Sequence, residues 1–194
     1  MTTRDIHVGP APYATGADFC RIFESNMDGL YLLALLLTAD HELAERCFVT
    51  GLQDARGGSR VFKEWADSWS RRTVILNAIR MVRPSASNSP FAPVKEDLLA
   101  GFVSDAPQLR ALVALPAFER FVYVVCVLEG YSDHQCALLI GATRKAVMTA
   151  RVHALATLGD PLVVQRQLRR MGTERQLRPE RSLQSPGSPL AATA

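Results

Sequence analysis

Residues 115–158 read LPAFERFVYVVCVLEGYSDHQCALLIGATRKAVMTARVHALATL, and this stretch decides the fold. Leu115-Pro116 opens an apolar run that lasts to Leu128. Proline is tolerated in a first helical turn, whose N–H groups have no intrahelical partner. Glu129-Gly130 stops the run, because glycine takes the left-handed conformation that a helix end uses. Ser132, with Gln135 three residues later, forms a capping box and starts a short helix over 133–140. Gly141 ends it, and Thr143 can cap a second helix over 144–158. On that second helix Val147, Ala150, Ala154 and Leu158 recur at helical spacing and form the inward face. Arg144, Lys145, Thr149 and His153 fall outside it. A short helix, a glycine turn and a second helix predict a helix-turn-helix. In such units the first turn of the second helix usually reaches base edges. The same pattern also suits a plain three-helix packing unit without nucleic acid, since helix pairs of this kind are common in all-α proteins.

Composition bounds the rest. The 194 residues suffice for one or two small domains, and a 48% apolar content with only 7% aromatics suits helices built on Leu, Ala and Val. The net charge of +3 and a pI of about 8.8 allow a nucleic-acid partner without requiring one. Cys20, Cys47, Cys126 and Cys136 form no C-x-x-C pair, which argues against zinc and against a disulfide framework. They read as buried thiols in a reducing compartment. No signal peptide is visible, and the most apolar run, 30–37, is far shorter than the ~20 residues of a membrane helix. A cytoplasmic location and no membrane partner are therefore expected.

Along the chain, residues 1–17 are rich in Gly, Pro and Thr and read as irregular. Asp18 can cap a helix whose apolar stripe includes Phe19, Ile22, Phe23, Leu30, Leu33 and Leu37. Asp40 can cap a second helix carrying Leu43, Cys47 and Phe48. A third, over 59–83, places Phe62, Trp65, Trp69, Leu76 and Ile79 on one face, with Lys63, Arg71, Arg72, Arg80 and Arg83 on the others. Residues 84–107 contain a Ser/Pro/Asn-rich stretch and read as a linker, with a short helix over 94–102. After Gly159-Asp160-Pro161 a short helix over 162–170 leads into a basic tail. From 171 the tail has too little apolar content to order itself. The expected fold class is all-α: two small helical domains, 18–83 and 108–160, joined by a linker, the C-terminal one a helix-turn-helix, with 161–194 as the tail.

Leu115-Pro116, Arg120, Glu129-Gly130-Tyr131-Ser132, Ala137, Leu139-Ile140-Gly141 and Val147 together resemble the promoter-binding C-terminal domain of bacterial RNA polymerase sigma factors, of the small extracytoplasmic-function (ECF) type. In the N-terminal half, Phe62-x-x-Trp65 followed by Arg71 resembles the start of the sigma helix that contacts the promoter −10 element. Asp40-x-Glu42-x-Ala44-Glu45 resembles the segment that binds the clamp helices of the polymerase large subunit. The resemblance covers roughly 18–83 and 108–158, and implies core RNA polymerase and promoter DNA as partners, with an anti-sigma protein as a further candidate. Polymerase binding would fall to Asp40, Glu42, Glu45 and Phe48. Contact with the −10 element would fall to Lys63, Trp65, Trp69, Arg71, Arg72 and Arg80, and contact with the −35 element to Thr143, Arg144, Lys145, Thr149, Arg151 and His153.

The chain also departs from the family pattern. Arg46, Val49 and Thr50 stand where an acid, a Gln and a Glu are usual, and Met148 and Ala150 replace a Lys and an Arg unless the register shifts by one residue. Two readings stay open: a divergent sigma factor with its own promoter, or a degenerate sigma-like interaction module that binds a regulator without initiating transcription. For Trp65 and Trp69, core packing is the first expectation, because aromatics at helical spacing usually build cores. Stacking on unpaired bases is the second. Nothing points to covalent chemistry. His134 stands beside Ser132 and Asp133, but three consecutive residues do not converge on one point of a helix. The four histidines, His7, His41, His134 and His153, lack metal-ligand spacing, and Gly57-Gly58 lacks the strand and lysine of a phosphate loop. No catalytic residue, cofactor or metal is expected.

Overall fold

Thr15 starts the first helix, α1 (Gly16–Ser25), through a reciprocal cap. Its hydroxyl accepts the Asp18 N–H at 3.3 Å, and the Asp18 carboxylate accepts the Thr15 N–H at 2.8 Å. Asp18 is thus the third residue of the cap and not the cap itself; the pair satisfies two orphan donors where a lone Asp would satisfy one. The single helix expected as far as Leu37 breaks at Asn26, whose side chain donates to the Asp67 carboxylate at 2.8 Å. The chain resumes as α2 (Met27–Thr38), where Leu30 and every residue from Leu33 to Thr38 are buried. A helix apolar on nearly all sides belongs in the middle of a structure. Ala39, at φ 52°, ends it, and Asp40 caps α3 (His41–Gly57) by accepting the Leu43 N–H at 3.1 Å.

This computed structural model describes residues 12–58, 60–86 and 107–176, with side chains as far as 169. The expectations for 1–11, for the linker over 87–106 with its short helix, and for 177–194 lie outside the described residues. The fold is all-α; Tyr13 and Phe62 form an isolated antiparallel bridge.

A short 3₁₀ turn (Lys63–Trp65) leads into α4 (Ala66–Val82). Its buried face consists of Ala66, Ser70, Thr73, Val74, Ile75, Asn77 and Ala78. The expected aromatic core face is corrected here: Trp65 is 63% exposed, Phe62 is exposed, and Trp69, Leu76 and Ile79 are half-buried. The reason is the close approach of α3. A Cβ on Gly51 would lie 3.1 Å from the Val74 Cγ2, so small side chains fill the contact between the two helices at that level, and Trp65 stands in the turn before α4, outside the contact. Two of the polar side chains on this buried face are satisfied: Asn77 donates to Asp54 at 3.0 Å and to the Thr73 carbonyl at 2.9 Å, and Ser70 to the Ala66 carbonyl at 2.8 Å.

The second half holds α5 (Pro107–Ala114), α6 (Ala117–Val122), α7 (Asp133–Ile140), α8 (Arg144–Leu158) and α9 (Pro161–Gln176). Helix α6 continues to Leu128 in a wider, π-type turn, with the Glu129 N–H on the Val124 carbonyl at 2.9 Å. Both predicted caps are present. Ser132 and Gln135 form the capping box, and the Thr143 hydroxyl accepts the Ala146 N–H at 3.2 Å. Gly141, at φ 73°, makes the turn between α7 and α8, a conformation other L-residues adopt at a cost. Val147, Ala150, Ala154 and Leu158 are buried, as their spacing predicts. Helix α9 outlasts its expected end at 170: proline suits its first position, the Asp160 carboxylate accepts the Leu162 N–H at 2.9 Å, and Val164 is buried. Polar composition concealed a segment whose Gln, Arg and Leu residues are good helix formers. Among the cysteines, Cys47 and Cys136 are buried, whereas Cys20 and Cys126 are half-buried.

The two halves share one contiguous core. Arg120 of α6 sits between them, 5% exposed. Its guanidinium donates to the Leu37 carbonyl at 3.3 Å from both Nε and Nη2, and from Nη1 to the carbonyls of Val113 at 3.1 Å and Leu115 at 2.9 Å. Leu37 lies in the last turn of α2, where carbonyls lack intrahelical donors and the helix dipole favours a cation. Burial lowers the Arg120 pKa to about 10, which leaves it charged at neutral pH. Arg120→Met would keep much of the bulk but strip the donors from three buried carbonyls. The expected loss in urea unfolding is on the order of 3 kcal/mol, and an unchanged midpoint would refute the role given to this side chain.

Candidate nucleic-acid interface

The start of α8 is an exposed, cationic helix end of the second half. Thr143 caps it, Arg144 and Lys145 follow, and all three are exposed. Neither cation makes an ion pair among the described residues, and α8 contains no Asp or Glu. The helix dipole adds partial positive charge at this end. Thr149, one turn on, is exposed as well. Arg151 and His153 are placed differently. Arg151 pairs with Asp133 of α7 at 2.9 Å, and His153 Nδ1 lies 2.9 Å from the Glu119 carboxylate of α6. These two side chains fasten α8 to its neighbours.

In the first half, Trp65, Trp69, Arg72 and Arg80 follow one another along one side of α4 at helical spacing, with Lys63 in the turn before it. Arg72 makes no ion pair among the described residues, while Arg80 is held by Asp54 at 2.8 Å. The Asn77 amide and then Arg80 hold the Asp54 carboxyl below its ordinary range. Trp69 is half-buried, and its indole N–H is buried without a hydrogen-bond acceptor. Arg71 lies about 100° further round the helix than Arg72 and points to the other half. Its Nε donates to a Glu129 oxygen at 2.7 Å and its Nη2 to the second oxygen, a two-pronged bridge in which the Glu129 side chain is only 9% exposed.

The structure adds residues that sequence reasoning missed. Tyr13 and Phe62 have ring centroids 4.8 Å apart, Phe62 meets Trp65 edge-on at 5.6 Å, and the Arg60 guanidinium lies 5.8 Å from the Tyr13 ring centre. An aromatic row edged by Arg60 therefore stands beside the start of α4, while Lys63 lies near Asp18 of α1. Phe62 and Trp65 were visible as a pair. Tyr13 was not, because it joins them through backbone bonds, Ala14 N–H to the Val61 carbonyl at 2.7 Å and Lys63 N–H to the Pro12 carbonyl at 3.0 Å, from a stretch without periodicity.

The residues expected to bind polymerase lie on α3 and its cap. Asp40 is occupied as the helix cap, Glu42 and Glu45 are exposed, and Phe48 packs edge-on against Phe23 at 5.2 Å. Phe48 thereby serves the packing of its own domain. Val49 is 52% exposed between Glu45 and the end of the helix. The three sets lie on separate elements. Where the halves meet, a solvent-open cavity of about 390 Å³ is lined by Leu32 and Leu36 of α2, the Arg71–Glu129 pair, Leu128 and Leu168 of α9.

The Arg71–Glu129 bridge is a measurable coupling between the halves. Glu129→Gln is expected to lower the unfolding free energy measured in urea by about 1 kcal/mol, a discounted figure because Arg71 is partly in solvent. Arg71→Lys should do the same, since an ammonium cannot take both oxygens at once. In a double-mutant cycle the two losses should fall short of additivity; full additivity would show that the pair is uncoupled.

No family model matches the sequence, and no curated protein matches it. Among solved structures, the sigma factor RpoE, in the co-crystal structure with the anti-sigma factor NepR from Bartonella quintana, aligns with 75% of this chain and 96% of that chain, at 20% sequence identity and a TM-score of 0.42. A likeness at that level carries no functional argument.

Proposed function

We propose that this chain is a sigma-factor-like transcription initiation protein of the ECF type. In this reading the first half engages core RNA polymerase through Glu42, Glu45 and their neighbours on α3, and the −10 element through the α4 side and its aromatic row. The second half is a helix-turn-helix that places the first turn of α8 in the major groove at the −35 element. The protein performs no covalent chemistry and acts in the cytoplasm beside the polymerase. The observation that carries the proposal is the exposed, unpaired Arg144-Lys145 start of a helix without acids. Free cations at a helix N-terminus suit phosphate, and Arg can take guanine in two-pronged fashion. Trp65, Phe62 and Tyr13 offer aromatic faces for unpaired bases, with Arg60 beside them for the backbone that would carry them.

A second reading has its own support. Arg71 of the −10 set is tied to Glu129, and α3 exposes Arg46 and Val49 where the family pattern has an acid and a Gln. A chain arranged so could bind a regulator, such as an anti-sigma protein, in place of initiating transcription. Reconstitution with core polymerase and a promoter library, reading transcript starts, separates the two. New start sites support initiation; capture of a regulator with no transcript supports the second.

Arg144→Ala with Lys145→Ala should weaken binding to a selected promoter duplex about tenfold and reduce the salt slope of log K by roughly two. Equal affinity and slope for the variant would remove this helix end from the interface.

A further inference from the structure

The inward face of α8 is Val147, Ala150, Ala154 and Leu158. At about 100° per residue, the opposite side carries Lys145, Met148, Thr149, Val152 and Ala156, and all five are exposed. Met148 is 44% exposed and Val152 65%. The two residues of the helix middle that could offer a guanidinium fork or a ring nitrogen, Arg151 and His153, are held aside by Asp133 and Glu119. Beyond its first turn, then, the outward side of α8 presents methyl and thioether groups with one hydroxyl among them.

Such a side cannot read adenine or guanine by paired hydrogen bonds, which need an amide or a guanidinium. It can read the one base feature of the major groove that is apolar, the C5-methyl group of thymine. The neighbouring charge selects the occupant: Arg144 and Lys145 stand unpaired one turn away, and no acid on the helix opposes a phosphate backbone. We propose that Met148 and Val152 are specificity residues that recognise thymine methyl groups in the major groove, while Arg144 and Lys145 hold phosphate and guanine at the helix end. This rests on the DNA-reading function proposed above and deepens it by naming what the middle of the helix recognises.

The test uses the full-length chain mixed with core RNA polymerase and a randomised duplex pool. The enriched duplex is then rebuilt with uracil at each thymine in turn, which removes one methyl group and alters no hydrogen-bonding edge. One or two positions should lose about fourfold in affinity, the worth of one buried methyl. Met148→Ala and Val152→Ala should each bind the thymine duplex more weakly and become indifferent to uracil at its position, while Val152→Ile keeps the discrimination. All three changes are on an exposed surface. If a duplex is enriched but bound equally with uracil throughout, the methyl-reading proposal is overturned and the DNA-binding function stands. If no duplex is enriched, the DNA-binding function falls and takes this proposal with it. If the alanine variants keep full DNA discrimination but lose the polymerase, the apolar side belongs to a protein contact and the proposal is overturned.

Discussion

The structure turns on a buried cation without a carboxylate. Arg120 places its guanidinium against the carbonyl ending α2 and against two carbonyls at the end of α5, so one side chain from α6 bonds both halves of the chain. A guanidinium is suited to this because its five donors lie in one rigid plane and serve several acceptors at once. Backbone carbonyls at helix ends are fixed by the helices that carry them. A neutral substitute could fill the space, but it would leave the open end of α2 without a donor in a place water does not reach. The shared apolar core then follows: with α2 held against α6, the leucines on both sides of α2 find partners from both halves.

Legibility followed the physical range of each interaction. Local signals were read correctly in the second half, because a capping box, a left-handed glycine and a four-residue apolar spacing need only their neighbours. Ser132, Gly141, Thr143 and the stripe from Val147 to Leu158 are of this kind. The cap at Thr15 and the length of α9 were local and still missed, but most misreadings arose where a distant partner decided the outcome. Asn26 breaks a helix that its own neighbourhood would continue, because Asp67 holds its side chain. The packed face of α4 holds Val74 and other small residues instead of the indoles, because Gly51 of another helix brings α3 close to it there. Tyr13 joins the aromatic row through backbone pairing that leaves no trace in hydropathy.

The candidate interface shows the same division. Exposure at Arg144, Lys145 and Thr149 follows from their place opposite a local stripe. The occupation of Arg71, Arg80, Arg151 and His153 by carboxylates does not, since each acid comes from another element. A sequence shows where cations stand on a helix; which of them are free is a property of tertiary pairing. Sorting them this way leaves a smaller and better defined set of positive charges than residue counts suggest.

Glu129 occupies Arg71 much as a phosphate oxygen pair would, so the chain carries its own competitor for one of its cations. Mobile ions act on such an arrangement twice. They loosen the internal pair slightly, which makes Arg71 easier to release, and they screen attraction to an external polyanion, which opposes capture. The two effects have opposite signs. The Glu129 side is mostly buried and weakly screened, so a polyanion that needs Arg71 must displace Glu129 at any ionic strength, and part of its attraction is spent on that exchange.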